Sequence, residues 1–237
     1  MNKDSKIAVL IHGYPEPIHE NHSLYRYFSK EGYAIISLYL FSSKFKLTQE
    51  DVKKYVDRGL NGREPDVIVG VSLGGLIAPY LAKDFLGAKL VLIATGPYVR
   101  KKIPIALLPP IQWLIVHMPV WIYSIVYKLF NRQKIKPEER KKLEEHIEQN
   151  WGHLKNISLN ENKEVIDFLT TTDNRKLLQS LGNETMIIAG NDNLMPLELS
   201  MEMKSLIKRS TLVSSGKRLH FEVFSEANYQ QLTDFLN

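Results

Sequence analysis

The sequence predicts an α/β fold, a mainly parallel sheet of about six strands with helices on both faces. Between Ile7 and Ala94, short β-branched or apolar runs alternate with helix-length segments, and each right-handed crossover between parallel strands needs a helix to return the chain. The run Val67-Ile68-Val69 then passes through Gly70-Val71-Ser72-Leu73-Gly74 into helix-compatible Leu76, Ile77, Ala78, Leu81 and Ala82. A strand therefore turns sharply into a helix at a serine. So tight a turn leaves no room for a side chain two residues before or after the serine, which requires glycine at both Gly70 and Gly74.

The elements follow in order. Ile7 to Ile11 reads as a buried strand, ended by His12-Gly13-Tyr14-Pro15-Glu16-Pro17, which can continue neither strand nor helix. Asn21 to Lys30 is a helix with Leu24, Tyr27 and Phe28 on its apolar face, closed by Gly32. Tyr33 to Leu40 is a strand. Thr48 to Leu60 is a helix with Thr48 as N-cap and Val52, Tyr55, Val56 and Leu60 on one face. The elbow strand and its helix run to about Phe85, and the strand Lys89 to Ala94 stops at Thr95-Gly96-Pro97.

After Pro97 the alternation lapses. The next convincing strand is Thr185 to Ala189, followed by Gly190-Asn191-Asp192-Asn193, a helix from about Pro196 to Lys208, the strand Thr211 to Ser214 and a last helix from about Ser225 to Leu236. Loops that long without structure of their own are uncommon. Residues 98–181 are therefore expected to form a mostly helical insertion in one discontinuous domain, 1–97 with 182–237.

Within the insertion, Ile103 to Tyr127 carries no charged residue and is long enough to cross a bilayer. A single crossing is excluded, because it would place strands of one sheet on opposite sides of the membrane. Pro104, Pro109, Pro110 and Pro119 also interrupt any helix, and the cations on either side give no inside–outside bias. The stretch reads as a cap whose apolar residues either form its own core or touch an anionic membrane surface. Lys136 to Asn150 is a charged helix with Pro137 in its first turn, a Glu138–Lys142 pair, and Leu143 and Ile147 facing inward.

Composition narrows the classes. The chain has 237 residues, 44% of them hydrophobic, enough for a sizeable core. The absence of cysteine excludes disulfides, thiolate metal sites and a cysteine nucleophile, and agrees with a cytoplasmic address; the start resembles no secretory signal. The net charge of +5 is spread among 26 acidic residues with no basic stripe, so a nucleic-acid partner is not expected. His146 and His153 lack supporting carboxylates, so no metal site is expected.

The His12-Gly13 pair ending the first strand, the elbow at Ser72, an acid after a late strand at Asp192 and a histidine after the last strand at His220 together resemble the α/β-hydrolase superfamily, in its serine-hydrolase branch. The resemblance covers nearly the whole chain outside the insertion. It implies a trimmed α/β-hydrolase fold, since the two antiparallel strands common in the superfamily have no room before Ile7. It implies Ser72 as nucleophile, His220 as general base and then acid, and Asp192 as the carboxylate that orients the imidazole. The backbone N–H groups of Tyr14 and Leu73 would form the oxyanion hole, with His12 shaping the loop.

In this superfamily inserted caps roof the site, so an apolar cap implies a small hydrophobic ester as substrate, with Trp113 and Trp121 as candidate substrate-binding residues. The implied activity is a cofactor-free carboxylesterase or lipase. Thioester hydrolysis, C–C bond hydrolysis or acyl transfer on the same triad is the alternative within enzymes. A ligand-binding protein on a hydrolase scaffold is the alternative outside them.

Overall fold

The structure, a computed structural model, describes residues 5–41, 46–100, 108–130, 140–190, 192, 194–216, 220 and 223–237. Its strands are β1 (Ile7–Ile11), β2 (Ala34–Leu38), β3 (Val67–Val71), β4 (Lys89–Ile93), β5 (Thr185–Ala189) and β6 (Ser210–Ser214). Among the described residues they form one sheet, parallel throughout, in the order β2-β1-β3-β4-β5-β6. Every residue of β1 and β5 is buried, as strands covered on both faces require, whereas the edge strand β6 has one buried residue, Ser210.

The helices of the sheet region are α1 (Ser23–Lys30), α2 (Gln49–Leu60), α3 (Leu73–Ala82), α8 (Arg175–Ser180), α9 (Leu197–Leu206) and α10 (Tyr229–Leu236). The side chains of Ala8, Leu10, Val67, Val69, Val91 and Ile188 pack with Leu24, Tyr27 and Phe28 of α1 and Leu232 of α10 in one buried cluster. Alternate strand residues supply that cluster, as the two-residue period of a strand dictates.

Several boundaries differ from the sequence expectation, each for a local reason. Helix α1 starts at Ser23, two residues late, because His22 is its N-cap: its Nδ1 accepts from the Leu24 N–H at 3.1 Å. Burial, with the charges of His19 and Arg26, pushes the His22 pKa down to about 4, which keeps that lone pair free of a proton. Strand β2 stops at Leu38, and the Leu40 N–H donates instead to His12 Nε2 at 2.9 Å. In α2, Thr48 Oγ1 accepts from the Asp51 N–H as expected and Val52, Val56 and Leu60 are buried, but Tyr55 is exposed. Helix α3 ends at Ala82, and a 3₁₀ turn at Glu226–Asn228, capped by Ser225, precedes α10.

The chain divides into two compact units, residues 1–101 with 171–237, and residues 102–170. Residues 171–181, assigned from sequence to the insertion, belong to the first unit. There the Asn174 N–H donates to the Pro97 carbonyl at 2.8 Å, its side-chain amide donates to the Leu76 carbonyl at 2.7 Å, and Tyr98 bridges to Asp173. Those bonds hold together the two points at which the chain leaves and re-enters the sheet region.

The second unit contains α4 (Leu108–His117), α5 (Val120–Phe130), α6 (Arg140–Asn156) and most of α7 (Leu159–Thr171). Pro109 and Pro110 occupy the first turn of α4, where no backbone N–H is needed, and Pro119 separates α4 from α5. Both helices pack on α6, whose Leu143 and Ile147 are buried. Pro104, Pro137 and Glu138 lie outside the described residues.

Candidate active site

Ser72 stands between β3 and α3 at φ +53°, ψ −112°, a backbone conformation that a residue with a Cβ adopts at a cost of about 1–3 kcal/mol. Its surroundings impose it. The Ser72 N–H donates to the Ile93 carbonyl at 2.9 Å, and the Ser72 carbonyl accepts from the Gly75 N–H at 3.0 Å and from Thr95 Oγ1 at 2.9 Å. A Cβ on Gly70 would lie 2.7 Å from Gly75 Cα, and one on Gly74 would lie 2.7 Å from the His12 carbonyl oxygen. Both neighbours are backbone and cannot yield, so the spacing of the two glycines reflects close packing of the turn against the end of β1.

Two further loops meet this turn. His220 Nε2 is 2.9 Å from Ser72 Oγ, and His220 Nδ1 is 2.9 Å from Asp192 Oδ2. Asp192 is buried at the carboxyl end of β5, and its second oxygen, Oδ1, accepts from the N–H groups of Leu194 and Met195, both at 2.8 Å. One oxygen thus shapes its own turn while the other faces the imidazole. Burial alone would push the Asp192 carboxyl up. The hydrogen bond and charge of His220, with the two backbone N–H groups, outweigh it and hold the carboxyl below its usual range. An ionised carboxylate can only accept, so Nδ1 carries the ring proton in the neutral tautomer, and the Nε2 lone pair is turned to the serine hydroxyl.

The loop after β1 lies against the same serine. A Cβ on Gly13 would stand 3.1 Å from Ser72 Cβ and 3.8 Å from its Oγ. His12 is fully buried and holds this loop: Nε2 accepts from the Leu40 N–H at 2.9 Å, so Nδ1 donates, to the Gly13 carbonyl at 2.5 Å. The Tyr14 ring meets Phe41 edge-on at 5.6 Å, and the Tyr14–Pro15 peptide is cis. Leu73 is the first residue of α3, where a helix offers its N–H no intrahelical carbonyl and the helix dipole favours negative charge.

Of the residues singled out in the sequence, Ser72, Asp192 and His220 form one hydrogen-bonded chain, with Gly70, Gly74, Leu73 and the loop bearing Tyr14 around the serine. Trp113 and Trp121 lie on α4 and α5 of the second unit, each 63% exposed. Thr95 was read from sequence only as a strand stop, yet its hydroxyl braces the Ser72 carbonyl. No local signal marks it, because the contact spans two neighbouring strands.

No protein-family model matches the chain, and no curated protein matches its sequence. Solved structures do match in shape. The chain is similar to an enol-lactonase from Burkholderia xenovorans, at 13% identity and TM-score 0.76 over 98% of this chain and 92% of that one. It is similar to a meta-cleavage product hydrolase from Pseudomonas fluorescens, at 16% identity and TM-score 0.72 over 98% and 91%. It is also similar to a thermophilic esterase from Thermogutta terrifontis, at 16% identity and TM-score 0.73 over 98% and 89%. The chain has the α/β-hydrolase fold.

Proposed function

We propose that the protein is a serine hydrolase that cleaves esters of hydrophobic acyl groups through an acyl-enzyme. The observation that carries this reading is the unbroken chain from Ser72 Oγ through His220 to the Asp192 carboxylate. Ser72 Oγ attacks the ester carbonyl carbon while its proton passes to His220 Nε2. The N–H groups of Leu73 and Tyr14 stabilise the resulting oxyanion, and Asp192 stabilises the imidazolium without taking its proton. Collapse of the tetrahedral intermediate breaks the C–O bond, and His220 returns the proton to the departing alkoxide. Water then attacks the acyl-enzyme with His220 again as base, releasing the acid and restoring Ser72.

The choice of a hydrophobic acyl group is supported by the sequence of the stretch 103–127, which carries no charged residue. Similarity to an esterase and an enol-lactonase agrees with ester chemistry. A second reading, hydrolysis of a C–C bond on the same triad, is favoured by the likeness to a meta-cleavage product hydrolase.

A fluorophosphonate probe, which reacts with activated serines, tests the shared step. Stoichiometric labelling that is lost in Ser72→Ala is expected, and a wild-type chain that stays unlabelled would point to a binding protein. Activity on nitrophenyl esters then separates the bonds cleaved: kcat/KM is expected to rise with acyl length. A labelled enzyme that ignores every ester but cleaves a vinylogous diketone would support the C–C reading.

A further inference from the structure

We infer that the α4–α5 pair docks the protein on an anionic lipid surface. On α4, Pro110, Trp113, Leu114 and His117 recur at helical spacing and all are exposed, Trp113 by 63% and Leu114 by 52%. On α5, Trp121 is 63% and Ile125 51% exposed, one turn apart. The opposite side of α5 is occupied, since Tyr123 is buried, and both helices rest on α6. Soluble proteins seldom leave two tryptophans this open on adjoining helices; an indole, apolar with one N–H, suits the headgroup level of a membrane.

Charge decides between lipid and a protein partner. From Phe85 to Pro137 the sequence contains no Asp or Glu, although the chain as a whole has 26. The helices are flanked by Arg100-Lys101-Lys102 on one side and by cations from Lys128 to Lys136 on the other. Lys128 closes the α5 stripe, with its Nζ 3.2 Å from Glu144 Oε1. An apolar stripe between basic ends is the pattern of an interfacial helix drawn to anionic headgroups. The geometry also limits the depth. Helices of 10 and 11 residues are roughly 15 Å long, about half a hydrocarbon core, and among the described residues no helix can cross one. They would lie in the plane of the interface.

The test is co-sedimentation of the Ser72→Ala chain, in which lipid hydrolysis plays no part, so the result stands whether or not the ester reading does. Binding to phosphatidylcholine–phosphatidylglycerol vesicles is expected, weaker by about tenfold or more on pure phosphatidylcholine and in high salt. Adding Trp113→Ser and Trp121→Ser should cost about a further tenfold or more, with an unchanged melting temperature as the folding control. In the chain with native tryptophans, brominated lipid should quench Trp113 and Trp121 but spare Trp151, which lies under the Lys155 ammonium on α6. Equal binding to neutral vesicles, absence of quenching, or a lipid-free dimer abolished by the double tryptophan change would overturn the inference, the last marking the face as a contact between copies of the chain.

Discussion

The loops after β1 and after β6 each bring a histidine to the Ser72 turn, and they hold it in opposite ways. His12 is fully buried, with one nitrogen accepting from the Leu40 N–H and the other donating to the Gly13 carbonyl. Both nitrogens are committed to main chain, so moving a proton through this ring would dismantle the loop it supports. The His220 side chain is 24% exposed and has one nitrogen on a carboxylate and the other on a hydroxyl whose hydrogen the proposed reaction removes. The two rings therefore differ in their partners, and the proposed reaction gives them different roles. Backbone partners make a brace, whereas side-chain partners make a relay.

The largest expected effect breaks the relay. His220→Ala should lower kcat by about 10⁴- to 10⁶-fold with substrate binding largely kept, and Asp192→Asn should lose less, because the ring remains but its tautomer is no longer imposed. Single-turnover kinetics would check both; full activity in Asp192→Asn would place the orienting acid elsewhere. Asp192 also leaves a trace in stability. Its folded pKa lies below the unfolded value, so its contribution is complete above about pH 4 and is lost as pH falls through the lower folded value. Urea midpoints measured across that range should fall for the wild type and flatten for Asp192→Asn.

Breaking the brace should look different. His12→Ala empties a buried site and strands the Leu40 N–H, a cost of about 3 kcal/mol in folding stability. Turnover should fall by only about 10- to 100-fold, through displacement of the loop that carries the Tyr14 N–H. Paired kcat and urea-melt measurements would show it, and a loss in kcat equal to that of His220→Ala would erase the distinction drawn between the two rings.

The smallest effect concerns a third histidine, remote from proton transfer. His22 caps α1 as a neutral ring, and its folded pKa of about 4 lies below the ordinary 6.5. The unfolded chain takes up a proton first as pH falls, so the His22 contribution to stability should decline between about pH 6.5 and 4 and change no further below. With allowance for partial exposure of the ring, the decline should be about 2 kcal/mol. His22→Asn keeps a capping acceptor and should remove that pH dependence while leaving kcat at pH 8 unchanged; denaturant melts at several pH values would resolve it.

Much of this was legible in the sequence. The elbow was readable because its constraints are local: Gly70 and Gly74 flank Ser72 within a few residues, and their missing side chains answer to backbone a few ångströms away. The strands were readable from apolar runs, and the cap of α2 from short-range chemistry at Thr48. Asp192 and His220 became candidates from their order after the late strands, through resemblance to a family, and folding brings them into one hydrogen-bonded chain with Ser72.

Tertiary structure decided what depends on partners distant in the chain. His220 reaches Ser72 across 148 positions, Leu40 leaves β2 to bond a ring 28 residues earlier, and residues 171–181 join the sheet region through Asn174. Periodicity and turn chemistry report on a side chain and its near neighbours. Whether a histidine braces or relays, and where a strand lets go of its ladder, is settled by groups that only folding brings within hydrogen-bond distance.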